Sequence, residues 1–295
     1  MTKYSALSDN AKGCILMMLS MAFFTFNDTF MKLLSADVPL FQALFFRSII
    51  TVVLMAGIAH RQGALHLKFP KRDRIAILVR TSCEVATAYL FLTALFHMPL
   101  ANLTAILQAL PLTIALAGAV FLKEPIGWRR MIAILIGLVG VLLIVRPGPS
   151  GFDFYSIYAL LAVGMITIRD LVARRLSRET PSMTVALSAA IGVLLFSGGM
   201  TLGETWATVE VVHWMFISAA ALCVVGGYLF SVMVMRQGDI GLVAPFRYTG
   251  LLWALVLGFF VFGDWPDAVT LLGALIVVLM GAFTFYRERQ LARQA

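Results

Sequence analysis

The 295 residues of this chain predict an all-α membrane protein that crosses the bilayer ten times. Hydrophobic residues make up 61% of the chain and charged residues only 13%, and the mean hydropathy is +0.93. Soluble domains usually hold about half apolar and a quarter charged residues. The apolar residues also form ten separate runs, each near the ~20 residues that a helix needs to cross the hydrocarbon core. A soluble enzyme, a disordered chain and a disulfide scaffold are therefore excluded.

The expected spans are continuous apolar runs, which favours helices because membrane strands alternate with a period of two. They lie near residues 12–34, 39–59, 74–97, 99–121, 129–146, 154–174, 182–202, 211–235, 240–262 and 267–286. The third and fourth runs are continuous in hydropathy, and we divide them at Pro99 because proline disfavours helix in the preceding residue. The first run contains Asn27 and Asp28 and has no small-residue cleavage site behind it. We therefore expect a retained helix and not a signal peptide.

The net charge of +8 fits membrane topology better than nucleic-acid binding. With the N-terminus inside, 17 of the 23 Lys and Arg residues fall on the inner side, and only Lys32 and Arg146 fall outside. Cytoplasmic loops of membrane proteins carry this excess of basic residues. We expect a multi-pass protein of the bacterial inner (plasma) membrane with both termini in the cytoplasm.

Weak self-similarity divides the chain into residues 1–148 and 149–295, with five spans in each half. The matched positions are Asp28 with Asp170, Pro39 with Pro181, and Tyr89 with Tyr228. Because five is odd, the second half begins on the opposite side of the membrane, and the two repeats are inverted. Secondary transporters share this design and bind substrate near the midplane, between the repeats.

Short motifs lie within the fourth and ninth spans and at the ends of these spans, and glycines follow in the next spans. They are Ala109-Leu110-Pro111, Phe121-Leu122-Lys123-Glu124-Pro125, Gly137-Leu138-Val139-Gly140, Ala244-Pro245-Phe246-Arg247-Tyr248, Phe262-Gly263-Asp264-Trp265-Pro266, Gly273 and Gly281. With the ten spans, they resemble the drug/metabolite transporter (DMT) superfamily, specifically its EamA-type branch. Asp264 stands where that family often has Glu, so the acid is retained. The resemblance implies a ten-helix bundle around a central cavity that moves small organic metabolites.

Seven ionisable residues fall inside the spans, where a central charge costs at least ~2.5–3.5 kcal/mol and is expected to face the bundle interior. They are Asp28, Arg47, Arg80, Glu84, Arg169, Asp170 and Arg247. Depth along the helices predicts two gate ion pairs, which are Asp28 with Arg47 in the outer half and Asp170 with Arg247 in the inner half. The alternative is that such pairs only lock helix packing. Arg80 and Arg169 each have the reach to snorkel to the inner surface.

The candidates for binding substrate or a coupling proton are Glu84, Tyr89, Gln108, Tyr228, Arg247, Tyr248 and Trp253. Glu84 is the first choice because it lies close to the midplane, and its alternative role is as a buried partner of Arg47 or Arg247. The aromatic side chains suit stacking on a planar substrate or holding a cation, and plain packing is the alternative. Pro111 and Pro245 each remove a backbone hydrogen bond within a span, which predicts a kink or a free carbonyl.

No H-E-x-x-H or G-x-x-x-x-G-K-[ST] motif occurs, so an intramembrane zinc protease and self-driven ATP use are not expected. Nothing resembles the selectivity filter of a channel. We expect no enzyme activity, cofactor or metal, and a secondary transporter for an amino acid or related metabolite that works by alternating access. The alternative is an importer of an aromatic nutrient such as riboflavin or an S-adenosylmethionine-like compound. The expected partners are the substrate, a coupling proton and the bilayer, without nucleic acid, for a monomer or homodimer.

Overall fold

A computed structural model describes residues 9–63, 70–123, 127–146, 153–173, 175–177, 180–234 and 243–292. These residues hold ten spans that are long and apolar enough to cross a membrane, as predicted. The helices are α1 (Asp9–Leu34), α2 (Leu40–Arg61), α3 (Lys71–His97), α4a (Leu100–Leu107), α4b (Leu110–Phe121), α5 (Trp128–Val145), α6 (Tyr155–Ala173), α7 (Ser182–Met200), α8 (Val211–Val234), α9 (Thr249–Phe262) and α10 (Ala268–Ala292). No strand occurs within these ranges, and the all-α prediction is confirmed. Glu124 and Pro125 of the motif after the fourth span lie outside the described residues.

Proline marks the start of four helices. Pro39, Pro70, Pro99 and Pro181 immediately precede α2, α3, α4a and α7. The first turn of a helix tolerates proline because its missing N–H has no intrahelical partner there. Met98 before Pro99 is extended, with φ −124° and ψ 158°, which separates the third span from the fourth at the predicted place.

Two spans are interrupted, one just before Pro111 and the other at Pro245, the two prolines predicted to disturb these spans. The fourth span breaks at Gln108 and Ala109, between α4a and α4b, because Pro111 has no N–H to donate to the Leu107 carbonyl. The ninth span begins as a 3₁₀ helix, Ala244–Tyr248, and continues as α9. Backbone irregularity at membrane depth is tolerated where it is buried in protein or lines a cavity.

The most extensive helix contacts join α1 with α8, α3 with α6, α2 with α7, and α5 with α10. The backbones of α5 and α10 approach very closely at Gly140 and Gly273. A Cβ atom on Gly140 would lie 2.8 Å from the Gly273 carbonyl oxygen, and one on Gly273 would lie 2.6 Å from the Gly140 carbonyl oxygen. Small residues permit this approach, which is the usual basis of helix packing in membranes.

The outer surface of the bundle is apolar. Leu195 and Phe260 are 71% and 78% exposed, whereas Leu44, Leu103 and Ile134 inside the bundle have no exposed surface. Exposed apolar area on this scale would be unfavourable in water and fits contact with lipid tails. The chain is therefore a multi-pass membrane protein.

Candidate functional site

A buried ionic network centres on Glu84 of α3. Arg169 of α6 donates from Nη1 to Glu84 Oε2 over 3.1 Å, and the Tyr228 hydroxyl of α8 donates to Oε1 over 2.9 Å. Arg169 Nε donates to Asp170 Oδ1 over 2.9 Å. The side chains of Glu84, Arg169 and Asp170 are only 14%, 18% and 27% exposed. One guanidinium thus bridges two carboxylates, and the Glu84 carboxylate joins α3 to both α6 and α8.

This network corrects two expectations. Arg169 does not snorkel to the surface, because its guanidinium points to Glu84 inside the bundle. The partner of Glu84 is Arg169 rather than Arg47 or Arg247. Depth along a helix could not reveal this pairing, because it does not tell which face of α6 meets α3.

Asp28 and Arg47 are joined through Asn27 instead of by direct contact. Arg47 Nη1 donates to Asn27 Oδ1 over 3.1 Å, and Asn27 Nδ2 donates to Asp28 Oδ1 over 2.9 Å. The charges of Asp28 and Glu84 are close enough to attract Arg47. Its Nε is buried without a hydrogen-bond partner. The predicted outer pair is therefore present only as an amide-bridged pair between α1 and α2.

Asp170 and Arg247 do not form the predicted inner ion pair. The Asp170 carboxylate accepts its hydrogen bond from its sequence neighbour Arg169, which is nearer. Within the described ranges Arg247 makes no hydrogen bond or ion pair, although the charge of Asp170 attracts it. The pairing inferred from depth was wrong because Arg169 takes the place assigned to Arg247.

Gln108 lies at the break between α4a and α4b and is 7% exposed. Its side-chain amide has no hydrogen-bond partner among the residues that the structure describes. Its Nε2 would lie 3.8 Å from a Cβ atom on Gly250 of α9. The break in the fourth span therefore lies beside the first turn of α9, just after the 3₁₀ segment of the ninth span.

Three of the predicted aromatic candidates lie outside the ionic network. Tyr89 stacks on Phe41, with ring centroids 6.0 Å apart and an interplanar angle of 8°. Tyr248 is 6% exposed, and its hydroxyl is pressed against Gly281 of α10, where any side chain would collide with it. Trp253 is 37% exposed, with its ring 6.3 Å from that of Phe26. Only Tyr228 among the aromatic candidates touches the network.

Sequence reasoning missed Arg169 as the cation shared by Glu84 and Asp170, and it did not place Asn27 between Asp28 and Arg47. It also missed the contact between Thr113 of α4b and Thr167 of α6, whose hydroxyl oxygens are 2.8 Å apart. Arg169 and Asp170 are adjacent charges within an apolar run, which is the one signal in the sequence that could have indicated a shared site.

Polar contacts also close both ends of the bundle. At one end, the Gln42 side chain donates to the Ala207 carbonyl and accepts from the Ala207 N–H, each over 2.9 Å. A pocket of about 510 Å³ opens beside it, with Asp37 and Trp206 in its wall. At the other end, Asp73 of α3 accepts hydrogen bonds from Ser177 and Thr180, which lie between α6 and α7.

Comparison with known proteins identifies the kind of molecule. Residues 11–146 match the EamA-like transporter family. The chain is 23% identical to the S-adenosylmethionine uptake transporter of Rickettsia prowazekii, over 97% of this chain and 96% of that protein. It is 24% identical to the pseudopaline exporter CntI of Pseudomonas aeruginosa, over 90% and 93% of the two chains.

A riboflavin transporter of Vibrio cholerae is 24% identical over 74% of this chain and 73% of that protein. A solved crystal structure with 16% identity superposes with a TM-score of 0.67 and covers 95% of this chain and 98% of that one, which shows the shared fold. Residues 11–146 thus form an EamA-like transporter domain, and the relatives that the chain matches over most of its length are membrane transporters, not enzymes.

Proposed function

We propose that this protein is a secondary transporter that moves an amino acid or a related metabolite across the bacterial inner membrane by alternating access. The observation that carries the proposal is the buried network in which Arg169 bridges Glu84 and Asp170. Ionisable groups this deep in a membrane bundle are costly and mark substrate or ion pathways. The relatives named for S-adenosylmethionine and pseudopaline support a small organic metabolite as the substrate.

Alternating access rests on two inverted halves, residues 1–148 and 149–295. If each helix of the first half is exchanged with its counterpart in the second half, α1 becomes α6 and α8 becomes α3. The contact of α1 with α8 then corresponds to that of α6 with α3, and both contacts are extensive. The contacts of α2 with α7 and of α5 with α10 are each converted into themselves. The reciprocal approach of Gly140 and Gly273 fits the same two-fold relation. This pairing supports a central cavity between the halves, opened to one side at a time.

Glu84 is the proposed coupling residue, because a proton on its carboxylate would weaken the bond to Arg169. Loss of that bond would release α6 from α3 and so connect protonation with helix movement. A Glu84→Gln variant should then lose the dependence of uptake on a pH gradient. Unchanged uptake with unchanged pH dependence would exclude a coupling role for this residue.

The basic residues support an orientation with both termini in the cytoplasm. Fusions that report the cytoplasm by fluorescence and the periplasm by phosphatase activity should assign the α1–α2 connection to the periplasm and the C-terminus to the cytoplasm. The reverse pattern would contradict the orientation and the assignment of inner and outer gates. Monomer and homodimer are both compatible with a site built within one chain.

The deciding experiment is uptake and counterflow with the purified protein in liposomes. Labelled amino acids, S-adenosylmethionine, riboflavin and nucleosides would be compared, and empty liposomes would serve as the control. Saturable movement of an amino acid or of S-adenosylmethionine is the expected result. Movement of riboflavin alone would favour the alternative, an aromatic nutrient importer, which the riboflavin-transporter relative supports.

A further inference from the structure

Of the seven ionisable residues assigned to the interior of the spans, four are basic and three are acidic, and the structure shows where the extra positive charge is located. Arg169 pairs with both Glu84 and Asp170, so these three residues together have a net charge of one negative. Arg80 compensates it, because its charge attracts Glu84.

Asp28 and Arg47 balance each other through Asn27. Among these seven residues, Arg247 is then the one without a hydrogen-bond or ion-pair partner in the part of the chain that the structure describes. A guanidinium with five donors in this position is expected to have a ligand, because an unpaired charge in the bundle interior is unfavourable.

The surroundings of Arg247 suit a small anionic group. It lies in the 3₁₀ helix Ala244–Tyr248, partly buried, on the side that senses the charge of Asp170 on α6. Residues three apart on a helix are neighbours on one face, so Arg247 near the end of the 3₁₀ helix and Gly250 in the first turn of α9 lie on the same side. The side-chain amide of Gln108, which has no hydrogen-bond partner among the described residues, lies beside Gly250, with Nε2 3.8 Å from where a Cβ atom of that residue would be.

We propose that Arg247 and Gln108 form the recognition site for a carboxylate group of the substrate. The guanidinium would hold both carboxylate oxygens in a bidentate contact, and Gln108 Nε2 would donate a further hydrogen bond. The single charge of a carboxylate group matches the single charge of Arg247, whereas a phosphate monoester carries about −1.5 to −2 and would exceed it. The inference rests on the proposed transport function and narrows its substrate class to compounds with a free carboxylate.

Binding to the full-length protein in detergent tests this assignment. The probes are the twenty amino acids and S-adenosylmethionine as carboxylates, riboflavin and thymidine as neutral compounds, and thymidine monophosphate as a phosphate. A thermal-shift screen identifies the ligand, because a compound that binds the folded state raises the melting temperature of the protein. Calorimetry then gives the Kd of that ligand. The amide analogue of the best carboxylate ligand completes the set.

Arg247→Gln should weaken carboxylate binding roughly 10- to 100-fold, the usual effect of losing a hydrogen bond to a charged group. Arg247→Lys keeps the positive charge but cannot make the bidentate contact of a guanidinium, so the loss of carboxylate affinity should be smaller. Wild type and Arg247→Gln should bind the amide analogue equally weakly, because the amide has already removed the carboxylate that Arg247 would contact, and losing the guanidinium then costs nothing further. Arg129→Gln, at an exposed arginine beside Trp128, removes an equal charge and should bind like wild type.

Several results would overturn the proposal. If riboflavin, thymidine or thymidine monophosphate binds and no carboxylate does, the carboxylate site is wrong while transport remains supported. If Arg247→Gln and Arg129→Gln bind the carboxylate equally well, Arg247 is not the recognition residue. If no probe binds wild type, both the site and the proposed substrate class fail. If Arg247→Gln does not elute as a monodisperse protein, the carboxylate affinity of Arg247→Lys is compared with that of Arg129→Gln instead.

Discussion

Arg169 illustrates how a charged side chain is accommodated inside a membrane protein. Its guanidinium meets two carboxylates and lies beside the hydroxyl of Tyr228, so its donors are directed at acceptors rather than at lipid. Buried ion pairs bring little net stability, because desolvation offsets most of the attraction. Removing one partner is nevertheless strongly destabilising, because the remaining charges stay buried.

Arg169→Gln should therefore lower the free energy of unfolding by about 3–5 kcal/mol, because Glu84 and Asp170 lose their common cation. Denaturant unfolding in a fixed detergent measures this loss. The double variant with Glu84→Gln should recover part of it. Arg129→Gln is the matched control, and an Arg169→Gln protein as stable as that control would contradict the network.

At the level of helices, hydropathy and proline predicted the architecture well. Ten runs became ten spans, and Pro99, Pro111 and Pro245 marked a boundary and two interruptions. The ion-pair partners could not be predicted in the same way, because hydropathy and length give depth but not rotation about the helix axis. Arg169 and Arg247 have similar depth, and only the packing of α6 on α3 decides which of them reaches Glu84.

The contact between α5 and α10 predicts a clear effect of one methyl group. Gly273→Ala would place Cβ 2.6 Å from the Gly140 carbonyl oxygen, so the helices must separate, at a cost of about 1–3 kcal/mol. Gly164→Ala in α6 is the control, because nothing lies within 4 Å of its added Cβ. That substitution should stabilise the helix by about 0.5–1 kcal/mol. Thermal unfolding of both variants measures the contrast, and equal melting temperatures would contradict the close approach.

The start of α10 predicts a dependence on pH. Asp267 accepts a hydrogen bond from the Thr270 N–H over 2.9 Å, and this bond holds the pKa of the carboxyl below its usual value. Arg146 adds to the effect through its salt bridge. Asp267→Ala should cost about 1 kcal/mol at neutral pH, as loss of a helix cap usually does.

Because the folded pKa of Asp267 is depressed, its contribution is complete above the ordinary pKa near 3.8. It should disappear as the pH falls through the lower folded value. Unfolding of wild type and Asp267→Ala at neutral and strongly acidic pH would show the difference shrinking. A difference that is constant with pH would exclude the charged cap.

For the whole molecule, the proposed alternating access requires the two ends of the bundle to open in turn. The reciprocal bonds between Gln42 and Ala207 close one end, and those from Ser177 and Thr180 to Asp73 close the other. These contacts are few and polar, so each end can open without disturbing the apolar core. The sequence did not indicate them, because they join loops to helices that are distant in the chain.

A covalent bridge at one end should therefore stop transport. With Gln42→Cys and Ala207→Cys, a short cleavable thiol cross-linker should abolish uptake into liposomes, and its reduction should restore uptake. The single variants carry one new cysteine beside Cys14, Cys83 and Cys223, and they control for reaction at those native thiols. Undiminished uptake by the cross-linked double variant would contradict opening at this end.

The end of α3 has a consequence for chemical mapping of the protein. Lys32 Nζ donates to the carbonyls of Leu95 and Met98 over 3.1 and 2.8 Å, and it lies 5.5 Å from the Phe262 ring centroid. In the proposed orientation this is the only lysine on the periplasmic side. An amine-reactive reagent that cannot cross the membrane should therefore leave the protein unlabelled in intact cells, because the Lys32 amine is held by the end of α3. The same reagent should label the protein after lysis, when the cytoplasmic lysines become accessible.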